Sequence, residues 1–316
     1  CRSVAQPGSA SALGAEGREF ESRRSDHRTE DLQHTLQVLF SWVRENRGPY
    51  VAPRMNLLRM SELSATRPQR YAAIDALRGL AMVWMTVFHF CFDLSHFGWW
   101  PQNFLSDPFW TWQRTAIVTL FLFCAGLGQA VAQAHGVGWH RFSRRWLQVL
   151  AAAMLVSVGS WLMFPRSFIY FGVLHGMAVM LLLARLTAGW GRWLWAAGLL
   201  ALLLPWLARW LLGGALADWA PFMNARSLNW LGLISRKPFT EDYVPVLPWL
   251  GVMWWGLATG QWLVAQRPAW LTVAVPRAAR PLAQLGRWSL SYYLLHQPAM
   301  IAALTALAWL MAVKAT

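Results

Sequence analysis

The sequence predicts an all-α fold: a polytopic transmembrane helix bundle of about seven spans, with its N-terminus in the cytoplasm. Three observations carry that expectation. Of 316 residues, 56% are hydrophobic and only 13% are charged, about half the charged share of a soluble domain. Uncharged apolar stretches of about 20 residues recur along the chain, the length an α-helix needs to cross hydrocarbon. Arginines cluster on alternate connections between those stretches, the asymmetry that marks cytoplasmic loops. The formal charge of +14 is high enough to raise nucleic-acid binding, but its distribution in short clusters between spans excludes that class. The cysteines Cys1, Cys91 and Cys124 form no CxxC pair, so neither a disulfide framework nor a cysteine zinc site is indicated.

Residues 1–59 differ from the rest of the chain. They carry nine basic and seven acidic residues and lack the apolar core of a signal peptide. The expectation is a disordered arm or a mistranslated extension. The run from Glu19 to His27 can be encoded by a stretch resembling the 3′ part of a transfer RNA gene, which would make Met55 or Met60 the true start. Residues 60–316 then form one membrane domain.

The first span is predicted at 72–94 and the second at 112–133. A third covers 146–164, a fourth 168–186 and a fifth 192–212; a long polar loop, 213–244, precedes the last two at 246–264 and 288–312. Each is set by apolar continuity rather than by period, as expected where a helix is apolar all round. Arg67 and Arg70, then Arg141, Arg144 and Arg145, then Arg185 and Arg192, then Arg267, Arg277, Arg280 and Arg287 fall on one side. The opposite connections carry Asp93 and Asp107, then Arg166, then a mixed loop. This predicts a multi-pass protein of a bacterial inner membrane, whose partner is the lipid bilayer. Tryptophan, 23 residues in all, suits membrane interfaces.

Ionisable groups inside such spans are expensive and mark function by default. Asp75 and Arg78, three residues apart at the inner start of the first span, share a helix face and can pair. Arg78 and Arg287 are candidates for binding a phosphate arriving from the cytoplasm. His89, Asp93 and His96 form a stripe at spacings of four and three; a carboxylate one turn from an imidazole can orient it as a general base. His175 lies between glycines in the fourth span, and His296 follows Tyr292 and Tyr293 just before Pro298. Each also has a structural reading, as polar glue between helices. No metal-ligand motif accompanies these histidines, and no GxGxxG, Walker, HExxH or GxSxG pattern occurs.

Five blocks in order carry a resemblance: 70–82 with His89 and Asp93, 121–126, 171–176, 247–252 and 285–298. Together they resemble the bacterial membrane acyltransferases related to heparan-α-glucosaminide N-acetyltransferase, over about residues 70–312. The resemblance implies acetyl transfer from cytoplasmic acetyl-CoA, as co-substrate, to an amine or hydroxyl of a sugar or glycan across the membrane. It further implies a histidine in the region after the first span, for which His89 and His96 are the candidates.

The expected catalytic set is therefore His89, Asp93, His96 and His175, and the expected CoA-binding set is Asp75, Arg78, Arg287 and His296. A pantetheine arm reaches on the order of 15–20 Å, a useful fraction of a hydrocarbon core of about 30 Å. The competing class is a small-solute transporter without chemistry, although no internal repeat supports it. A structural envelope protein is the third. The acceptor, the acyl chain and the oligomeric state are left open by the sequence.

Overall fold

The computed structural model describes residues 71–315; the predicted extension at 1–59 lies outside them. Eight helices of eight residues or more follow in order: α1 (Ala72–His96), α2 (Pro108–Ala134), α3 (Trp139–Met163), α4 (Val173–Leu186), α5 (Trp193–Leu212), α6 (Val246–Gln266), α7 (Arg280–Arg287) and α8 (Ser289–Ala315). No strand occurs among the described residues, and the all-α membrane bundle expected from composition is what forms. Among the described residues five helices, α1, α2, α3, α5 and α8, are long and apolar enough to cross a bilayer. The other two predicted spans are occupied by α6, which has 21 residues, and by α4, which has 14.

The centre of the bundle is made by α2, α4, α5 and α6, where Leu122, Met180, Leu194, Met253 and Leu257 are fully buried. Glycines set the spacing. A Cβ on Gly126 would sit 2.2 Å from the Met253 carbonyl oxygen, and one on Gly256 equally close to that of Phe123. The α2 and α6 backbones therefore touch, which only small residues permit. The outer faces of α3 and α5 remain apolar and uncovered, with Leu162 and Trp206 70% and 82% exposed, as lipid-facing surfaces should be.

The fourth span departs from expectation. Helix begins at Val173, five residues later than the predicted 168. Phe168–Gly172 instead runs beside the end of the long loop: Glu241 N–H donates to the Ser167 carbonyl, Val244 N–H to the Phe171 carbonyl, and Thr240 Oγ1 to the Phe168 carbonyl. An aromatic run such as Phe168-Ile169-Tyr170-Phe171 suits an extended backbone as well as a helix, and those loop partners decide for the extended form. The Asp242 carboxylate then accepts the Val173 N–H at 2.7 Å, satisfying a donor the helix start leaves open. Loss of water around the Asp242 carboxyl pushes its pKa upward, with the Val173 hydrogen bond opposing.

Helices α1 and α8 run in the same direction, since Thr86 meets Tyr292 and Asp93 meets Gln297. The short α7 runs against α1, with Gly79 opposite Leu282 and Gly286 opposite Asp75. The seam between α1 and the pair α7–α8 brings together most of the predicted site residues.

Candidate active site

At the Asp75 end of α1 the chain packs backbone on backbone. A Cβ on Gly79 would lie 1.9 Å from the Leu282 carbonyl oxygen, and one on Gly286 1.8 Å from that of Asp75. This closeness presses Arg287 onto Asp75. The Asp75 carboxylate takes Arg78 Nη1 on Oδ1 at 3.2 Å and faces Arg287 Nε from Oδ2 at 3.8 Å. The predicted Asp75–Arg78 pair is therefore present, and Arg287 joins it. The two arginines differ in availability: Arg78 lies against α2, with Nη2 3.1 Å from where a Gly128 Cβ would be. Arg287 is about half exposed. It lines a recess of about 340 Å³ with Ala72, Ala274, Arg280, Ala283 and Gln284. Two guanidiniums and an amide on one recess can bind an anion through charge-assisted hydrogen bonds.

Farther along α1 lies the second cluster. His89 and His296 face each other with ring centroids 5.3 Å apart. Tyr292 stacks on the His296 ring at 5.7 Å, the planes 11° apart. Thr86 fixes that tyrosine: its hydroxyl donates to the Met82 carbonyl at 2.8 Å, so at 2.6 Å it accepts from the Tyr292 hydroxyl. His296 Nδ1 sits 2.8 Å from the Tyr293 carbonyl and 3.3 Å from that of Tyr292. Carbonyls only accept, so Nδ1 carries the proton and Nε2 of the neutral ring holds a lone pair. That Nε2 is buried and has no partner.

Asp93 is 3% exposed, and its Oδ1 accepts from Gln297 Nε2 at 2.8 Å. The pairing expected with His89, one turn earlier on the same helix, is not made: Asp93 turns toward α8. The carboxylate prefers an amide donor across the seam to an imidazole reached along its own helix. His96, at the last turn of α1, is exposed and stands apart from the pair.

His175 lies elsewhere, at the start of α4. Ser157 Oγ donates to the Ile169 carbonyl at 2.7 Å and so must accept from His175 Nε2 at 2.9 Å. Nδ1 accepts from the Gly172 N–H at 3.3 Å. Both nitrogens are used, and no lone pair is left for proton transfer. His175, expected to assist the acceptor or the thioester carbonyl, here closes the α3–α4 junction with both nitrogens.

Sequence reasoning set Tyr292 beside His296 but missed its bond to Thr86 and missed Gln297 as the partner of Asp93. An uncharged amide beside Pro298 within an apolar helix was the available signal. Among the described residues no three His, Cys, Asp or Glu side chains gather as metal ligands.

The family model described as heparan-alpha-glucosaminide N-acetyltransferase, catalytic, matches residues 70–298. The chain belongs to that family. The match begins just before α1 and ends at Pro298 inside α8, so both clusters of the seam fall within it. The molecule is thus a multi-pass membrane protein of an acyltransferase family. Comparison with curated proteins and with solved structures finds no match.

Proposed function

We propose that the protein moves an acyl group, acetyl in the first instance, from acyl-CoA in the cytoplasm to an amine or hydroxyl of a sugar or glycan outside a bacterial inner membrane. One observation carries this reading. Helix α1 holds Asp75, met by Arg78 and by Arg287 of α7, at one end and His89, facing the buried His296 of α8, at the other, 11 residues from Arg78 to His89, or about 16 Å of helix. Membership in the acyltransferase family supports it.

In this reading Arg287, with Arg280, holds phosphates of CoA at the recess, and Asp75 keeps Arg287 and Arg78 in position. The thioester reaches along the seam toward His89 and His296. The acceptor enters from the opposite side, where Asp93 and the exposed His96 lie. The acceptor's N–H or O–H attacks the thioester carbonyl, an imidazole takes the proton, and the C–S bond breaks to release CoA. Burial of the pair keeps water from competing for the acyl group.

The test uses sealed vesicles of known orientation, with radiolabelled acetyl-CoA on the cytoplasmic side and glucosamine with mixed sugars on the other. Label on an opposite-side sugar is the expected result. Arg287→Gln should raise KM for acetyl-CoA by about 10-fold, as loss of a charge-assisted hydrogen bond does, with kcat within about threefold of wild type. In a parallel run with the label on the sugar instead, unmodified sugar crossing the vesicle, with no acyl transfer, would replace this reading with transport.

A further inference from the structure

We propose that His296 is the group that takes the nucleophile's proton, and that Asp93 Oδ2 and Gln297 Oε1 accept hydrogen bonds from the other N–H and O–H groups of the acceptor sugar. This rests on the acyl-transfer reading and assigns the atoms within it.

Three acceptors in the seam lack a hydrogen. Asp93 Oδ2, His296 Nε2 and Gln297 Oε1 are each buried and each without a partner. The Gln297 orientation is fixed, because a flipped amide would set its oxygen against Asp93 Oδ1 at 2.8 Å, acceptor on acceptor. The His296 tautomer is fixed by the Tyr293 carbonyl. Buried acceptors without donors are costly, and each calls for an explanation. Here all three belong to adjacent residues of one seam, tied together by the Gln297–Asp93 bond and the His296–His89 contact. Their complement is a molecule rich in N–H and O–H, which is what a sugar bearing the attacking amine or hydroxyl among its other hydroxyls supplies.

His89 lacks the features of the base. No hydrogen bond among the described residues orients either of its nitrogens, whereas His296 is clamped by two carbonyls below and by the Tyr292 ring on its face. A base with one tautomer and one rotamer delivers its lone pair without reorganisation. The titratable groups facing His296 are His89 on α1 and Tyr292 and Tyr293 on its own helix, and Asp93 on α1 binds the neighbouring Gln297. The proton balance closes within the reactants. The acceptor's N–H or O–H bond breaks, its hydrogen goes to Nε2, and its electron pair forms the bond to the acyl carbon. The C–S bond breaks onto sulfur, and the imidazolium returns the proton to the thiolate, giving acylated acceptor and free CoA.

The test uses the full chain in detergent micelles with acetyl-CoA and glucosamine, following release of the CoA thiol and label on the sugar. His296→Asn keeps a donor for the Tyr293 carbonyl but has no lone pair at the Nε2 position. Its kcat should fall at least 100-fold, the acid limb of the kcat/KM pH profile should vanish, and KM for acetyl-CoA should stay within threefold. Added imidazole should restore part of the rate. His89→Asn should retain the acid limb. A His296→Asn enzyme that keeps both the limb and a kcat within fivefold of wild type would overturn the assignment while leaving acyl transfer standing; wild type that transfers nothing would overturn both. If His296→Asn does not fold, His296→Gln serves for kinetics. Nitrogen-15 NMR of labelled wild-type protein then reads the tautomer directly: a bare Nε2 is expected, and a protonated Nε2 with bare Nδ1 would overturn the proposal.

Discussion

His175 and His296 are both buried, 7% and 8% exposed, both sit on helices of the bundle, and each ring has an aromatic neighbour, Phe171 for one and Tyr292 for the other. They differ in what their nitrogens do. His175 donates to Ser157 and accepts from Gly172, so its hydrogen-bonding capacity is spent on joining α3 to α4. His296 spends one nitrogen on the Tyr293 carbonyl and leaves the other bare. Burial and residue type do not separate a structural histidine from a reactive one; the count of satisfied atoms does.

The widest gap between the two should appear when each is removed. His296→Asn loses at least 100-fold in kcat, within the range a general base contributes, with little change in thermal stability. His175→Leu reverses the pattern. It strands the Gly172 N–H, costing about 1–3 kcal/mol, read as a lower melting temperature in detergent, while kcat of the folded protein stays within threefold. A His175→Leu protein that is stable but inactive would break the comparison.

Ser157→Ala sharpens it at smaller scale. The variant leaves His175 Nε2–H without an acceptor and should cost on the order of 1 kcal/mol, with activity unchanged; differential scanning of the two proteins side by side measures it.

The smallest effect concerns Asp242, which caps the same helix end as His175. Burial holds its carboxyl above the ordinary range, so folding favours the protonated form. The corresponding stabilisation is present below the unfolded value near pH 4 and is lost as pH rises through the raised folded value. Asp242→Asn carries no charge at any pH. Its melting temperature relative to wild type should therefore rise between pH 4 and pH 7; a difference that falls over that window would contradict the sign.

What could be read from the sequence was local. Apolar continuity located the helices, and the Asp75–Arg78 pair followed from a spacing of three. What could not be read was which faces meet. The Gln297–Asp93 bond joins residues 204 apart and the Thr86–Tyr292 bond residues 206 apart, and no helical period encodes such a pairing. The same limit explains His175, whose saturation depends on Ser157 and Ile169 in other elements. The late start of α4 was hidden because an aromatic run is apolar in either conformation, and only the loop at 240–244 breaks the tie.

The glycine contact between α1 and α7 also carries a cost in time. Asp75 cannot gain Arg287, nor Asp93 gain Gln297, until the last helices have been made. At roughly 5–20 residues per second of synthesis, the 204 residues between Asp93 and Gln297 correspond to about 10–40 s. During that interval the first span holds a carboxylate whose partner does not yet exist, so the seat of α1 is settled by the end of the chain rather than by its beginning.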